Sequence, residues 1–486
     1  MSMRGSRQAG VLALLMTVFL LLLAAGAPAQ VIEATITVDA ERPGVVSVEG
    51  RFTRSAKRSD KKTFFVTDEH AGAAGLENRF SGLELLANGE NTKFRRIGAG
   101  AFLAEKEFDA WRYSVDLSPA GRRAGTAHIS RLDGTSGVLM PEDLLPLVGD
   151  VRSAAVVIRV PAGWEMYSTE NRRQSGMFLI SDVKNSVVAI GKDWRFIQGS
   201  GISPSLAIRG KWHFADADVA SFALQILGYY EMVFGSQAAG RRLIVIAPPP
   251  RSAGAGSWDA DTRGKTVNIL MADTAFATQS KQRLHEILRH ELFHLWLPND
   301  VWLKGYYAWF YEGAAVYASL RAGVFLGRIR FDDMLDTLAR TYQIEASSER
   351  LSLTAMQQQG NAGAASRLYA RGMLTAFLCD IEMLAASGGK RSFETLLLDV
   401  YVAHKPPAEP VPATEAVLQR YAKYPELSPI VTAFITGDRP FEWGVSINKA
   451  GLEFADDKLR VAKRHNGKQK ALLDKLGYNA WRRFIP

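Results

Sequence analysis

One cysteine in 486 residues, Cys379, rules out a disulfide framework. Its neighbours, Phe377-Leu378-Cys379-Asp380-Ile381, read as a helix core, which argues against a catalytic thiol. No cysteine lies near the N-terminal apolar segment either, so a bacterial lipoprotein anchor is not expected. Beyond that segment no stretch reaches 18 consecutive apolar residues, the length at which a membrane-spanning helix becomes plausible. There is no internal repeat. The Gly254-Ala255-Gly256 cluster has no Lys-Ser or Lys-Thr at the offset of a phosphate-binding loop. Charge of one sign is also scarce in the body of the chain. Of the formal +9, six charges belong to residues 456–486 and two to the first 29, leaving one for everything between. No nucleic-acid partner is expected from such a balance, and the basic tail reads as a solvated helix.

What is present begins with Arg4 and Arg7, an apolar run from Val11 to Ala25, and Ala27-Pro28-Ala29, a small-x-small cleavage site. Residues 1–29 are therefore expected to be a signal peptide, with Gln30 as the mature start and a periplasmic or secreted destination. An uncleaved anchor is the alternative. No membrane insertion is expected beyond it, and the oligomeric state is not legible.

Residues 30–200 show short alternating or apolar runs, such as Thr63–Thr67, Ala154–Val160 and Ser186–Ile190, broken by Gly, Pro, Asp and Asn. That pattern predicts an N-terminal antiparallel, β-sandwich-like domain. From Asp216 the period becomes helical, with Val219, Phe222, Ala223, Ile226, Leu227, Tyr230 and Val233 on one face. Two strand-like runs follow, Leu243–Ala247 and Thr266–Ala272, then another helix. The predicted layout is a multidomain α+β chain: the β-rich part, a catalytic part over 201–345, a helical C-terminal domain over 346–455 and a basic tail over 456–486.

The chemistry concentrates in the predicted helix Ser280–Leu297, stopped by Pro298. It contains His290-Glu291-Leu292-Phe293-His294. Two histidines four residues apart project from one helix face and can share a tetrahedral ion, and the intervening Glu291 can take a proton from an activated water. Surface histidines on an amphipathic helix are the alternative for the bare pattern. A third ligand decides between them. Glu312 is the sole acid between Asp300 and Asp332, and it sits in an apolar setting, Ala308-Trp309-Phe310-Tyr311. Burying a lone carboxylate costs several kcal/mol, roughly, unless a cation compensates it. His290, His294 and Glu312 are thus the expected ligands of one Zn2+, with Glu291 as general base. His285, five residues before His290, falls off that face and reads as a partly exposed helix residue. His213, His404 and His465 occur in no metal spacing.

With those residues in hand, the chain resembles the gluzincin zinc metallopeptidases. It looks most like the glycyl aminopeptidase family and, more distantly, the aminopeptidase N family, over roughly residues 154–454. The resemblance rests on HExxH, on Trp309-Phe310-Tyr311-Glu312-Gly313 and on Tyr369-Ala370-Arg371-Gly372. It implies a thermolysin-like catalytic domain, a peptide substrate and aminopeptidase-like hydrolysis. It also implies that Tyr369, opening its helix, supports the tetrahedral intermediate, and that Asn299 stands behind the metal ligands.

Three departures accompany it. Seventeen residues separate His294 from Glu312, against 18 in the aminopeptidase N family. Where the families place a glycine-rich element with a Glu for the substrate amine, this chain has Gly254 and Gly256 without that Glu; Asp259, or alternatively Asp261, stands in its place, and Gly254, Gly256 and Asp259 become the substrate-binding candidates. The stretch after Phe454 is too short for the PDZ domain that glycyl aminopeptidases carry. The missing amine-binding Glu keeps a second reading open, a gluzincin-shaped scaffold that binds peptides or partner proteins in the cell envelope.

Overall fold

The computed structural model describes residues 31–53, 58, 60–118, 125–147, 153–250, 254, 256–359 and 362–484. The expected signal peptide lies outside them. Among the described residues no helix is long and apolar enough to cross a membrane.

The N-terminal part is built on an eight-stranded sheet. The alternation of buried and half-buried side chains along Ile32–Val38 gives its first strand one wet and one dry face. Ile32–Val38 pairs antiparallel with Val45–Phe52, but on its other side it runs parallel to Ala154–Arg159. The sheet is therefore mixed rather than wholly antiparallel. Alternation reports which face is buried and not which strand lies alongside, and the long intervening segment supplies the crossover that a parallel pair needs.

A four-stranded sheet, ordered Glu165–Ser168, Val188–Gly191, Ser136–Leu139, Arg131–Leu132, lies between the N-terminal core and the next layer. Its central strand Val188–Gly191 is buried throughout. Val188 and Ile190 pack into the N-terminal core with Leu132 and Leu139, while Ala189 meets Ala207, Leu243 and Val245 of the following sheet. Two-sided burial explains why this run is apolar without alternation.

The next sheet has the order Arg195–Ile197, Ser205–Ile208, Leu243–Ala247, Thr266–Met271, Trp258–Arg263, the first and last pairs antiparallel and the inner ones parallel. The edge strand Trp258–Arg263 is not visible in the hydrophobic pattern: Asp259, Asp261 and Arg263 interrupt it, because that edge borders a cleft. Two helices, Asp216–Phe234 and Ala277–Phe293, pack beside this sheet in one core. Leu284, Ile287, Leu288 and Leu292 of the second are each buried, worth about 1.5–3 kcal/mol apiece.

The C-terminal part is helical, with Ala308–Phe325, Phe331–Ala346, Ala362–Ser387 and Phe393–His404 as its main rods. The basic tail is not a solvated helix alone. Leu452–Ala455 and Lys458–Val461 form a hairpin, and Leu472, Leu473 and Leu476 of the Gly467–Leu476 helix join the main core. Its lysines face out because Leu472 and Leu473, four and three residues before Leu476, face in with it.

Candidate metal centre and cleft

His290 lies in the last turn of the Ala277–Phe293 helix, and His294 is the residue that caps it. The helix ends earlier than the predicted Leu297. His294 nevertheless stays in the right-handed helical region (φ −65°, ψ −13°), so the two rings still face one another, with 3.2 Å between their Nε2 atoms. His294 Nδ1 lies 2.9 Å from the Leu297 carbonyl oxygen. A carbonyl can only accept, so Nδ1 carries the hydrogen and Nε2 is left as the lone-pair donor for a metal.

Glu312 comes from the next helix. Its Oε2 is 3.4 Å from His290 Nε2 and 3.7 Å from His294 Nε2. Donors bound about 2 Å from a tetrahedral ion stand roughly 3.3 Å apart, so these three edges fit one zinc-sized site. Glu312 Oε2 is buried and has no hydrogen-bond partner. Burial opposes its charge, yet the His294 and His290 rings hold the carboxyl below its usual range. Burial likewise opposes charge on His290, but Glu312 and Glu291 raise it. Among the described residues this is the one trio of His, Cys, Asp or Glu close enough to share an ion.

Glu291 is buried beside the trio. Thr262 Oγ1 lies 2.7 Å from its Oε2 and 3.0 Å from its backbone oxygen, fixing the carboxylate relative to the edge strand. Asn299, expected behind the ligands, acts through that strand: its Nδ2 donates to Thr262 O at 2.9 Å and to Gly264 O at 3.3 Å.

Tyr369 does not open its helix, which starts at Ala362, but projects from within it on a partly exposed face. Burial and the Glu312 carboxylate raise its phenol above the ordinary value, so it keeps its proton as a donor. The contact with Glu312 depends on two glycines. A Cβ on Gly313 would stand 2.5 Å from Gly372 backbone atoms, and one on Gly372 would stand 2.8 Å from Gly313 Cα. The Ala308–Phe325 and Ala362–Ser387 helices thus cross backbone to backbone, one residue from Glu312 and three from Tyr369. Arg371 locks the second helix: it is buried, pairs with Glu345 and donates to the carbonyls of Phe434 and Arg439.

The metal trio, Glu291, Thr262, Asn299 and Tyr369 line a cavity of about 700 Å³. Of the three substrate-binding candidates, Asp259 lines it; Gly254 and Gly256 sit on an exposed turn outside the lining. Asp261, the alternative to Asp259, lines it too, while several lining residues carry no local sequence signal: His70, His128 and Glu142 from the N-terminal part, and Thr262 and Arg263 from the edge strand. His285 is not partly exposed as expected. It is buried, with Nδ1 2.8 Å from Arg289 Nη1 and its ring against Phe222, and burial followed by the Arg289 charge pushes its pKa down to about 3.

No family model matches the chain. Aminopeptidase A of Gloydius brevicauda is 31% identical over 122 residues, 23% of this chain and 13% of that protein, so the matched segment spans a small fraction of the relative's length. An aminopeptidase N family protein of Idiomarina loihiensis superposes with a TM-score of 0.73 at 15% identity, covering 90% of this chain and 82% of the other. An M1 zinc metallopeptidase of Deinococcus radiodurans gives 0.53 at 15% identity, covering 85% and 94%. The chain has the fold of these proteins: β-rich N-terminal domain, catalytic domain and helical C-terminal domain. These likenesses support the suspected resemblance to gluzincin aminopeptidases, and none of the three is a glycyl aminopeptidase.

Proposed function

We propose that this protein is a zinc-dependent, aminopeptidase-like hydrolase of peptide bonds, with one metal ion per chain. The observation that carries the reading is the convergence of His290, His294 and Glu312, with a buried carboxylate oxygen that nothing in the protein satisfies. A zinc ion held there supplies Lewis acidity toward a carbonyl and lowers the pKa of water. Glu291, oriented by Thr262, takes the proton of the attacking water and returns it to the departing amine. The Tyr369 hydroxyl donates to the oxyanion as the carbonyl carbon becomes tetrahedral. The cleft of about 700 Å³ has room for a short peptide segment beside the metal trio.

The arrangement favours catalysis over a binding scaffold, because a scaffold has no use for a base held 2.7 Å from a dedicated hydroxyl beside three converging metal donors. Metal analysis tests this together with activity. The mature protein should contain zinc near one per chain and cleave peptides, Glu312→Ala should lose the metal, and Glu291→Gln should keep it while losing turnover. Cleavage that survives chelation would overturn the reading. The N-terminal 29 residues support export to the periplasm or the medium, and N-terminal sequencing of the mature protein, with Gln30 expected first, checks that.

A further inference from the structure

The wall of the cleft contributed by the N-terminal part and the edge strand is a chain of ion pairs. His128 Nδ1 stands 3.3 Å from Asp261 Oδ1, and its Nε2 stands 3.6 Å from Asp259 Oδ1. Asp259 Oδ2 accepts a hydrogen bond from the Ala127 amide at 2.8 Å. Arg263 joins Asp261, with Nε to Oδ2 at 2.7 Å, to Glu142, with Nη1 to Oε2 at 2.8 Å. Its Nη2 lies 2.6 Å from His70 Nε2. Lys184 lines the cleft near Glu142, whose pKa burial raises against the lowering pull of Arg263 and Lys184. Asp259 and Asp261 are thus engaged by His128 and Arg263, provided that His128 is charged, and Glu142 shares Arg263. Burial alone would neutralise His128, but Asp261 and Asp259 raise its pKa to about 10, so at neutral pH it is an imidazolium. Burial and the adjacent Arg263 hold His70 neutral, with its pKa pushed down to about 4.

This wall lies in the same cavity as the metal trio and Tyr369. A peptide held at the trio therefore meets it with whichever end extends that way. An unpaired carboxylate in such a place selects a substrate ammonium, whereas a carboxylate already engaged by an imidazolium offers little to one.

We propose that His128 is a specificity-determining residue: by engaging Asp259 and Asp261 it leaves this wall without a free carboxylate, so the cleft accepts N-acylated and internal peptide segments as readily as free N-termini. The inference rests on the peptidase reading above and names the substrate class of that site.

Calorimetric titration of zinc-loaded Glu291→Gln protein with Ala-Ala-Ala and with N-acetyl-Ala-Ala-Ala separates binding from turnover. With His128 present the two dissociation constants should agree within about threefold. With His128→Gln added, the free peptide should gain about tenfold over the blocked one, the order expected for uncovering one charge in a partly buried site. His128→Lys, which keeps a cation, should leave the ratio near one and serves as the folded control. A free-amine preference above about tenfold with His128 in place, or a ratio unmoved by His128→Gln in a folded protein, overturns the proposal. Failure of both peptides to bind would instead defeat the peptidase reading itself and the inference with it. A zinc enzyme that cleaves only free-amine substrates would leave that reading standing and remove the role of His128.

Discussion

Replacing Thr262 by valine tests whether Glu291 owes its position to the edge strand. Valine matches threonine in shape and removes only the hydroxyl, which lies 2.7 Å from the Glu291 carboxylate and 3.0 Å from its backbone oxygen. A hydrogen bond to a charged acceptor is worth about 1.5–3 kcal/mol, and each 1.4 kcal/mol or so is a factor of ten in rate. If most of that bond serves to aim the base, kcat should fall roughly 10- to 100-fold. KM should hold, because Thr262 touches the base and no metal ligand. Zinc content should also hold, since the three donors come from two other segments. Steady-state kinetics on a fluorogenic peptide, with metal analysis on the same preparations, reads all three quantities. Thr262→Ser restores the hydroxyl and should recover most of kcat. An unchanged kcat, or a loss explained entirely by lost zinc, would refute the argument that this hydroxyl orients the base.

Three further outcomes are expected. Tyr369→Phe should lower kcat by about 10²–10³ with zinc retained, measured by single-turnover kinetics, because only the donor to the oxyanion is lost. Gly313→Ala and Gly372→Ala should each destabilise the protein by about 1–3 kcal/mol in denaturant titrations, since the new methyl meets backbone that cannot swing aside. They should also lower kcat by moving Tyr369 away from Glu312. The His128 pKa is raised from 6.5 to about 10 in the folded state, so its contribution to stability is complete below the ordinary histidine range. It declines as pH climbs through that window and is gone above the folded value. The difference in Tm between wild type and His128→Gln should therefore shrink from pH 6 to pH 10, and a difference that grows would contradict the pairing with Asp259 and Asp261.

The metal trio was readable from the chain because its elements are local. The 3.6-residue period puts positions 290 and 294 on one face whatever the rest of the fold does, and a lone acid in an apolar helix needs a cation. The helix Asp216–Phe234 and the buried strand Leu243–Ala247 were legible for the same reason, since burial on one face or on two leaves a period in the residues themselves. The strand Trp258–Arg263 left no such period, because its polar residues border the cleft rather than solvent or core.

Tertiary packing alone decided the rest. Whether Tyr369 reaches Glu312 turns on the crossing of two helices at Gly313 and Gly372, and nothing near either glycine announces its partner. His128 meets Asp259 only because the sheet containing Val188–Gly191 is pressed between two cores, which carries the Ala127 backbone to Asp259 and Asn268. His285 gave the opposite lesson: its place off the ligand face was evident from spacing, but its burial was set by Phe222 and Arg289. Periodicity encodes which way a side chain faces on its own element. What it then touches depends on other chain segments, often distant in sequence, whose approach is governed by the packing of whole layers.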